Sequence, residues 1–128
     1  MIKVLIVDDN KFITHAMRNI LEEMDFNVVG VAHDGLQGIE RFMEFWPDIT
    51  LLDITMPNMD GLECLGKIME MNSTARVVML SAVQDKHTIR NCLASGAAGF
   101  LQKPIRKGNA EDLGRLSRAL EHAAGKTV

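Results

Sequence analysis

The sequence predicts an α/β protein, a (βα)5 doubly wound sandwich in which helices cover both faces of a five-stranded parallel sheet. Short apolar runs such as Val4 to Val7 and Ile49 to Leu52 recur along the chain and have the look of strands buried on both faces. Between the runs lie longer segments whose apolar residues are spaced by three and four, the helical period. The two patterns alternate from end to end, and such alternation implies parallel strands joined by helical crossovers.

The first strand, within Ile2 to Val7, is almost entirely β-branched or aliphatic and stops at Asp8-Asp9. Asn10 suits an N-cap, and Ile13, Met17, Ile20 and Met24 give the helix Lys11 to Met24 one apolar stripe, which Asp25 to Asn27 ends. Val28 to Ala32 is the second strand. Asp34 with Gln37 three residues on reads as a capping box, and Leu36, Ile39, Phe42 and Met43 give helical spacing up to Trp46-Pro47. Proline biases the residue before it away from helical backbone, so the helix stops there. Ile49 to Leu52 is the third strand, and a helix starts near Gly61 with Leu62, Leu65, Ile68 and Met69 inward, fading at Asn72-Ser73. Arg76 to Leu80 is the fourth strand, ending at Ser81; Asp85 caps a helix that carries Ile89, Cys92 and Leu93 and closes at Gly96. Gly99 to Gln102 is a short fifth strand ending at Lys103-Pro104. After a polar loop, Arg106 to Asn109, the residues Leu113, Leu116, Leu120 and Ala123 form the face of a last helix.

With 128 residues, 47% hydrophobic and 24% charged, and no low-complexity tract to mark a linker, residues 1–128 read as one domain with one sizeable core. The first apolar run is too short to span a bilayer and meets two aspartates at once, so it is neither signal peptide nor membrane helix. A cytoplasmic location without membrane insertion is expected. The net charge of -3 and the absence of a Lys/Arg run argue against direct nucleic-acid binding. Cys64 and Cys92 are too far apart for a metal-ligand pair and form no disulfide framework, which leaves them core or helix-face residues. His15, His33, His87 and His122 are scattered and read as surface or boundary residues. The nine Met residues mostly fall at core spacing, as gap-fillers.

Ligands of such open sheets bind beyond the carboxyl ends of the strands, where the strand order reverses; for this flavodoxin-like size the order is 2-1-3-4-5. Asp8-Asp9, Asp53, Ser81 and Lys103 end the first, third, fourth and fifth strands. Taken singly, an aspartate after a strand serves equally well as a turn or cap residue. Convergence on one edge is the stronger signal. Carboxylates ~4 to 5 Å apart repel by a few kcal/mol per pair at an effective dielectric of ~20, and a cation offsets that. All-oxygen ligands with places left for water suit Mg²⁺. Lys103, the Ser81 hydroxyl and the loop amides after Asp53 then make a receptor for an anion, and a phosphoryl group fits it.

These residues resemble those of a bacterial two-component response-regulator receiver domain of the chemotaxis type. The resemblance rests on Val7-Asp8-Asp9-Asn10, the run Leu52 to Gly61, Leu80-Ser81-Ala82 and Gly99 to Pro104, and it covers nearly the whole chain. It implies that Asp53 is the phosphoacceptor, attacking the phosphorus of a phosphohistidine on a histidine kinase or phosphotransfer protein, or of a small phosphodonor. It also implies that Asp9, Asp53 and the main-chain carbonyl of Thr55 bind Mg²⁺ directly and that Asp8 acts through water. Lys103 would pair with the phosphoryl group, Ser81 would move to hydrogen-bond it, and Phe100 would be the switch aromatic. Lys103-Pro104 would correspond to the family's cis peptide. Thr55 and Val83 would flank the approach of water to the phosphate. A downstream protein would bind the face made by the fourth helix, fifth strand and fifth helix, with the chain a monomer or a phosphorylation-dependent dimer. The chain would then be no enzyme but a signalling domain that assists its own phosphorylation and dephosphorylation.

Two features depart from the family pattern. Phe100 lacks the hydroxyl of the commoner tyrosine, so switching would rest on packing, and Ile105 to Asn109 is longer and more cationic than the usual connection, which bears on the output face. Two other readings exist. A Mg²⁺-dependent phosphatase of the haloacid-dehalogenase type also uses a strand-end Asp but carries a second Asp two residues later, where this chain has Thr55. A receiver module of a longer regulator with a separate output domain is the other; with Gly125 to Val128 closing the sequence soon after the last helix, a stand-alone protein is expected.

Overall fold

In a computed structural model, which describes residues 1–125, the elements are β1 (Lys3–Val7), α1 (Lys11–Glu23), β2 (Asn27–Ala32), α2 (Gly35–Phe45), β3 (Ile49–Leu52), α3 (Gly61–Met71), β4 (Val77–Ser81), α4 (Lys86–Ala94), β5 (Gly99–Gln102) and α5 (Ala110–Ala123). All strand pairs are parallel and the sheet order is β2-β1-β3-β4-β5, as the sequence predicts.

The central strands β3 and β4 are buried at every residue, because successive side chains enter opposite layers and both layers are apolar. On one side Val4, Ile6, Ile49, Leu51, Val78 and Leu80 meet Met17, Ile20 and Leu21 of α1 and Leu116 and Leu120 of α5. On the other, Leu5, Val7, Leu52, Val77 and Met79 meet Phe42 of α2, Cys64, Leu65 and Ile68 of α3, and Cys92 of α4. Each such side chain contributes about 1.5–3 kcal/mol by leaving water, enough in sum to fix the register of strands whose ends must line up. Met17, Met56, Met59 and Met79 are among the buried residues, whereas Met1, Met43 and Met71 are exposed.

Helix starts follow their capping residues. Asn10, Asp34, Asp60, Asp85 and Asn109 each accept hydrogen bonds from first-turn amides of the helix that follows. The box at Asp34 closes differently from the expected one, since Gln37 Oε1 accepts from the amide of His33, 3.0 Å away, not from that of Asp34. Trp46 leaves the helix through left-handed backbone, φ 44°, while Gly96 takes φ 106° just past α4.

The buried face of α2 differs from the stripe its apolar residues suggest. Leu36 and Met43 are 50% and 48% exposed, and the buried side of the helix carries Gly35, Gly38 and Phe42. A Cβ at Gly38 would stand 3.0 Å from a Val7 methyl, so the helix packs backbone-close where periodicity of large residues gives no hint. Leu93 of α4 is likewise half exposed. Among the described residues no helix is long and apolar enough to cross a membrane.

Candidate functional site

The strands deliver the site residues with their backbones already pinned. Asp8 donates its amide to Ala32 O (3.0 Å), Asp53 to Val7 O (2.9 Å) and Lys103 to Ser81 O (2.9 Å), so each sits one ladder bond beyond its strand or at its end. Asp8 and Asp53 are buried, 2% and 6% exposed, while Asp9 faces solvent at the rim. One carboxylate oxygen from each of the three lies within 4.8 Å of the others.

Lys103 closes the cluster. Its Nζ is 2.6 Å from Asp8 Oδ2 and 3.4 Å from Asp53 Oδ2. The other Asp8 oxygen accepts from the amide of Asn10 (2.9 Å), and the other Asp53 oxygen from the amide of Ile54 (2.8 Å). Burial pushes the Asp53 carboxyl above the ordinary aspartate value; Lys103 opposes this, Asp8 adds to it, and the Ile54 amide opposes it. The set is all oxygen, partly open to solvent and short of a full cage, which fits a hard divalent cation that keeps several waters.

The loop after Asp53 is anchored from below. Met56 and Met59 are buried under it, Asn58 takes left-handed backbone and donates Nδ2 to Asp34 Oδ2 (3.1 Å), and the amide of Gly61 donates to Ile54 O (2.6 Å). Thr55 stays exposed at the mouth. Ser81 is buried, and its hydroxyl oxygen accepts from the amide of half-buried Val83 (3.2 Å), which leaves the hydroxyl proton to give. Phe100 is half-buried, packed on the α2–α4 layer and bordering a cleft with Ile89, Arg115 and Arg118. The Lys103–Pro104 peptide bond is cis.

Two groups near the site escape a reading by strand ends. His33 places Nδ1 3.1 Å from the main-chain oxygen of Asp8. Its position directly after β2, whose neighbour β1 ends just before Asp8, is a signal that topology could have supplied. Beyond Lys103, buried Asp112 binds Arg106 and Arg115, with only the cationic character of the loop to hint at it.

A doubly wound sheet of this order, with acidic groups gathered at the switch point and a lysine from the edge strand closing over them, puts the chain in the receiver class. The family model for the response regulator receiver domain matches residues 4–113, and the chain belongs to that family. Within it the chain is of the CheY type, in two-component signalling. Chemotaxis protein CheY of Listeria monocytogenes is 41% identical over 124 residues, which span 97% of this chain and 99% of that protein. CheY of Bacillus subtilis is 37% identical over 80% of this chain and 86% of its own. Among solved structures, that of the CheX–CheY–BeF3–Mg²⁺ complex from Borrelia burgdorferi has a TM-score of 0.86 at 34% identity, covering 94% of this chain and 87% of that one. The response regulator domain of Thermotoga maritima CheB has a TM-score of 0.87 at 31% identity, covering 100% and 99%.

Proposed function

We propose that Asp53 accepts a phosphoryl group from a histidine kinase or phosphotransfer protein in a Mg²⁺-dependent reaction, and that the aspartyl phosphate switches a partner-binding surface. The observation that carries this reading is the buried Asp8–Lys103–Asp53 arrangement, in which one ammonium stands within 3.4 Å of two carboxylates. In the transfer an Asp53 oxygen forms the new bond to phosphorus, the bond to the donor's imidazole nitrogen breaks, and the imidazole leaves with the electron pair.

Asp9, Asp53 and the main-chain carbonyl of Thr55 would hold Mg²⁺, with Asp8 acting through water. Bound there, Mg²⁺ would supply positive charge to offset that of the phosphoryl group. Lys103 offers a mobile ammonium to the same oxygens, and Ser81 has a hydroxyl proton to donate. Movement of Ser81 toward the phosphate opens room beside β4 that Phe100 fills, a change of packing that alters the α4–β5–α5 face. A downstream protein docks there, with the domain a monomer or a dimer formed on phosphorylation. The kinship with CheY supports a chemotaxis-like role in the cytoplasm, and the 99% coverage of the Listeria protein supports a single receiver domain over residues 1–128.

The test is incorporation of radiolabelled phosphate from a small phosphodonor, with Mg²⁺ or with a chelator. Wild type takes label only with Mg²⁺ and Asp53→Asn takes none; label persisting at the wild-type level in Asp53→Asn or in chelator overturns the reading.

A further inference from the structure

We propose that Asp112 and Arg115 are positioning residues for Lys103, bracing from α5 the short segment that carries the lysine into the site. The inference rests on the reading of Asp53 as phosphoacceptor, because its consequence is the rate of that transfer.

Arg115 Nη1 donates to the carbonyl of Gln102 (3.3 Å) and Nη2 to that of Pro104 (3.5 Å), so one guanidinium reaches the carbonyls on both sides of Lys103. Both contacts are long and would be weak if the guanidinium were free to swing. Asp112 holds it: Nη2 donates to Asp112 Oδ1 at 2.9 Å. The other oxygen, Oδ2, accepts from the amide of Arg106 (3.0 Å) and from its Nε (2.7 Å), which ties the loop after Pro104 to the same carboxylate. Lys103 is thus held on one side by Ser81 of β4 and on the other by the first turns of α5.

Helix capping alone does not account for Asp112. Asn109 already caps α5, accepting from the Asp112 amide (3.0 Å), yet the Asp112 side chain is turned inward and 2% exposed. A buried carboxylate is retained only where it is fully satisfied, and here Arg106 first and Arg115 second hold it well below the usual carboxylate range. Its two cationic partners lead straight to the Lys103 segment, and Lys103 Nζ has to serve both Asp8 and Asp53 from one anchored backbone. An ammonium on a four-carbon stem is flexible by nature, so fixing its Cα is the means the fold has to limit where the charge can go.

The experiment is a double-mutant cycle. Phosphorylation rates from acetyl phosphate at saturating Mg²⁺ are measured for wild type, Asp112→Asn, Arg115→Gln, Lys103→Ala, and each brace variant combined with Lys103→Ala, with thermal melts alongside. Should Asp112→Asn fail to fold, Arg115→Gln, which leaves the Asp112–Arg106 pair intact, carries the test. Each brace variant is expected to slow phosphorylation about five- to twentyfold in the presence of Lys103 and to have no further effect in Lys103→Ala. The Lys103 ¹³Cε resonance of the unphosphorylated protein is expected to shift in both variants. Slowing by the same factor with and without Lys103, or no slowing at all, overturns the proposal, and so does an unmoved Lys103 resonance. If the Lys103→Ala background is too slow to measure, the resonance decides. Label on Asp53→Asn, or none on wild type, condemns the phosphoacceptor reading instead, while the resonance still tests the brace.

Discussion

Lys103 Nζ lies 2.6 Å from Asp8 Oδ2 and 3.4 Å from Asp53 Oδ2, so the lysine gives its short, charge-assisted bond to the neighbour of the proposed nucleophile. Asp53 is left buried with a longer contact, and burial, its largest influence, raises its pKa. For an acid whose folded pKa is raised, the favourable contribution to stability is present below the unfolded value of about 4 and is lost as pH rises through the folded value. Asp53 therefore weakens the metal-free fold as the pH rises through its raised folded pKa. Asp53→Asn is expected to melt at a higher temperature than wild type at pH 7.5 without Mg²⁺, and the gain is expected to shrink as the pH is lowered. A melting temperature below wild type at pH 7.5 would contradict this balance of burial against Lys103.

Gly61 makes a sharper demand on sequence. A Cβ there would collide with the Asp53 carbonyl oxygen and stand 2.7 Å from Ile54 Cα, both backbone atoms, so any side chain must displace the peptide that carries Asp53. Gly61→Ala is expected to destabilise the protein by about 1 to 3 kcal/mol and to slow phosphorylation. Gly66 in the same helix has nothing within 4 Å of the equivalent position, and Gly66→Ala is expected to stabilise by about 0.5 to 1 kcal/mol through helix propensity alone. Urea melts of the two variants check both signs, and equal effects would mean that the close approach is of no consequence.

The contrast between those glycines shows what a sequence reveals and what it conceals. Strands β1, β3 and β4 were legible because their buried residues are apolar on both faces, and Asp8, Asp53 and Ser81 because a polar group breaks each run where the ladder ends. The inner face of α2 was not, since glycines provide the contact there and carry no hydrophobic period. The tie from Asp112 to Arg106 and Arg115 was hidden for another reason: directional bonds between loop and helix follow no repeat, so the cationic loop signalled a departure without showing its partner.

The lifetime of an aspartyl phosphate depends on how water reaches the phosphorus in line with the bond to Asp53. Thr55 and Val83 stand two residues beyond Asp53 and Ser81; Thr55 is exposed at the mouth, and Val83 is half-buried beside Ser81, to whose hydroxyl oxygen its amide donates. Neither side chain carries a carboxamide or carboxylate to orient a water, and Val83 adds only apolar bulk. Thr55→Asn with Val83→Glu supplies both groups while leaving the Val83 amide to hold Ser81. Orienting groups at the rim are worth about 1 to 3 kcal/mol of the barrier, or roughly tenfold to a hundredfold in rate. The double variant is therefore expected to lose its phosphate faster than wild type in single-turnover decay at saturating Mg²⁺. Decay that is unchanged or slower would place control of water elsewhere, at Lys103 or the loop amides rather than at these two side chains.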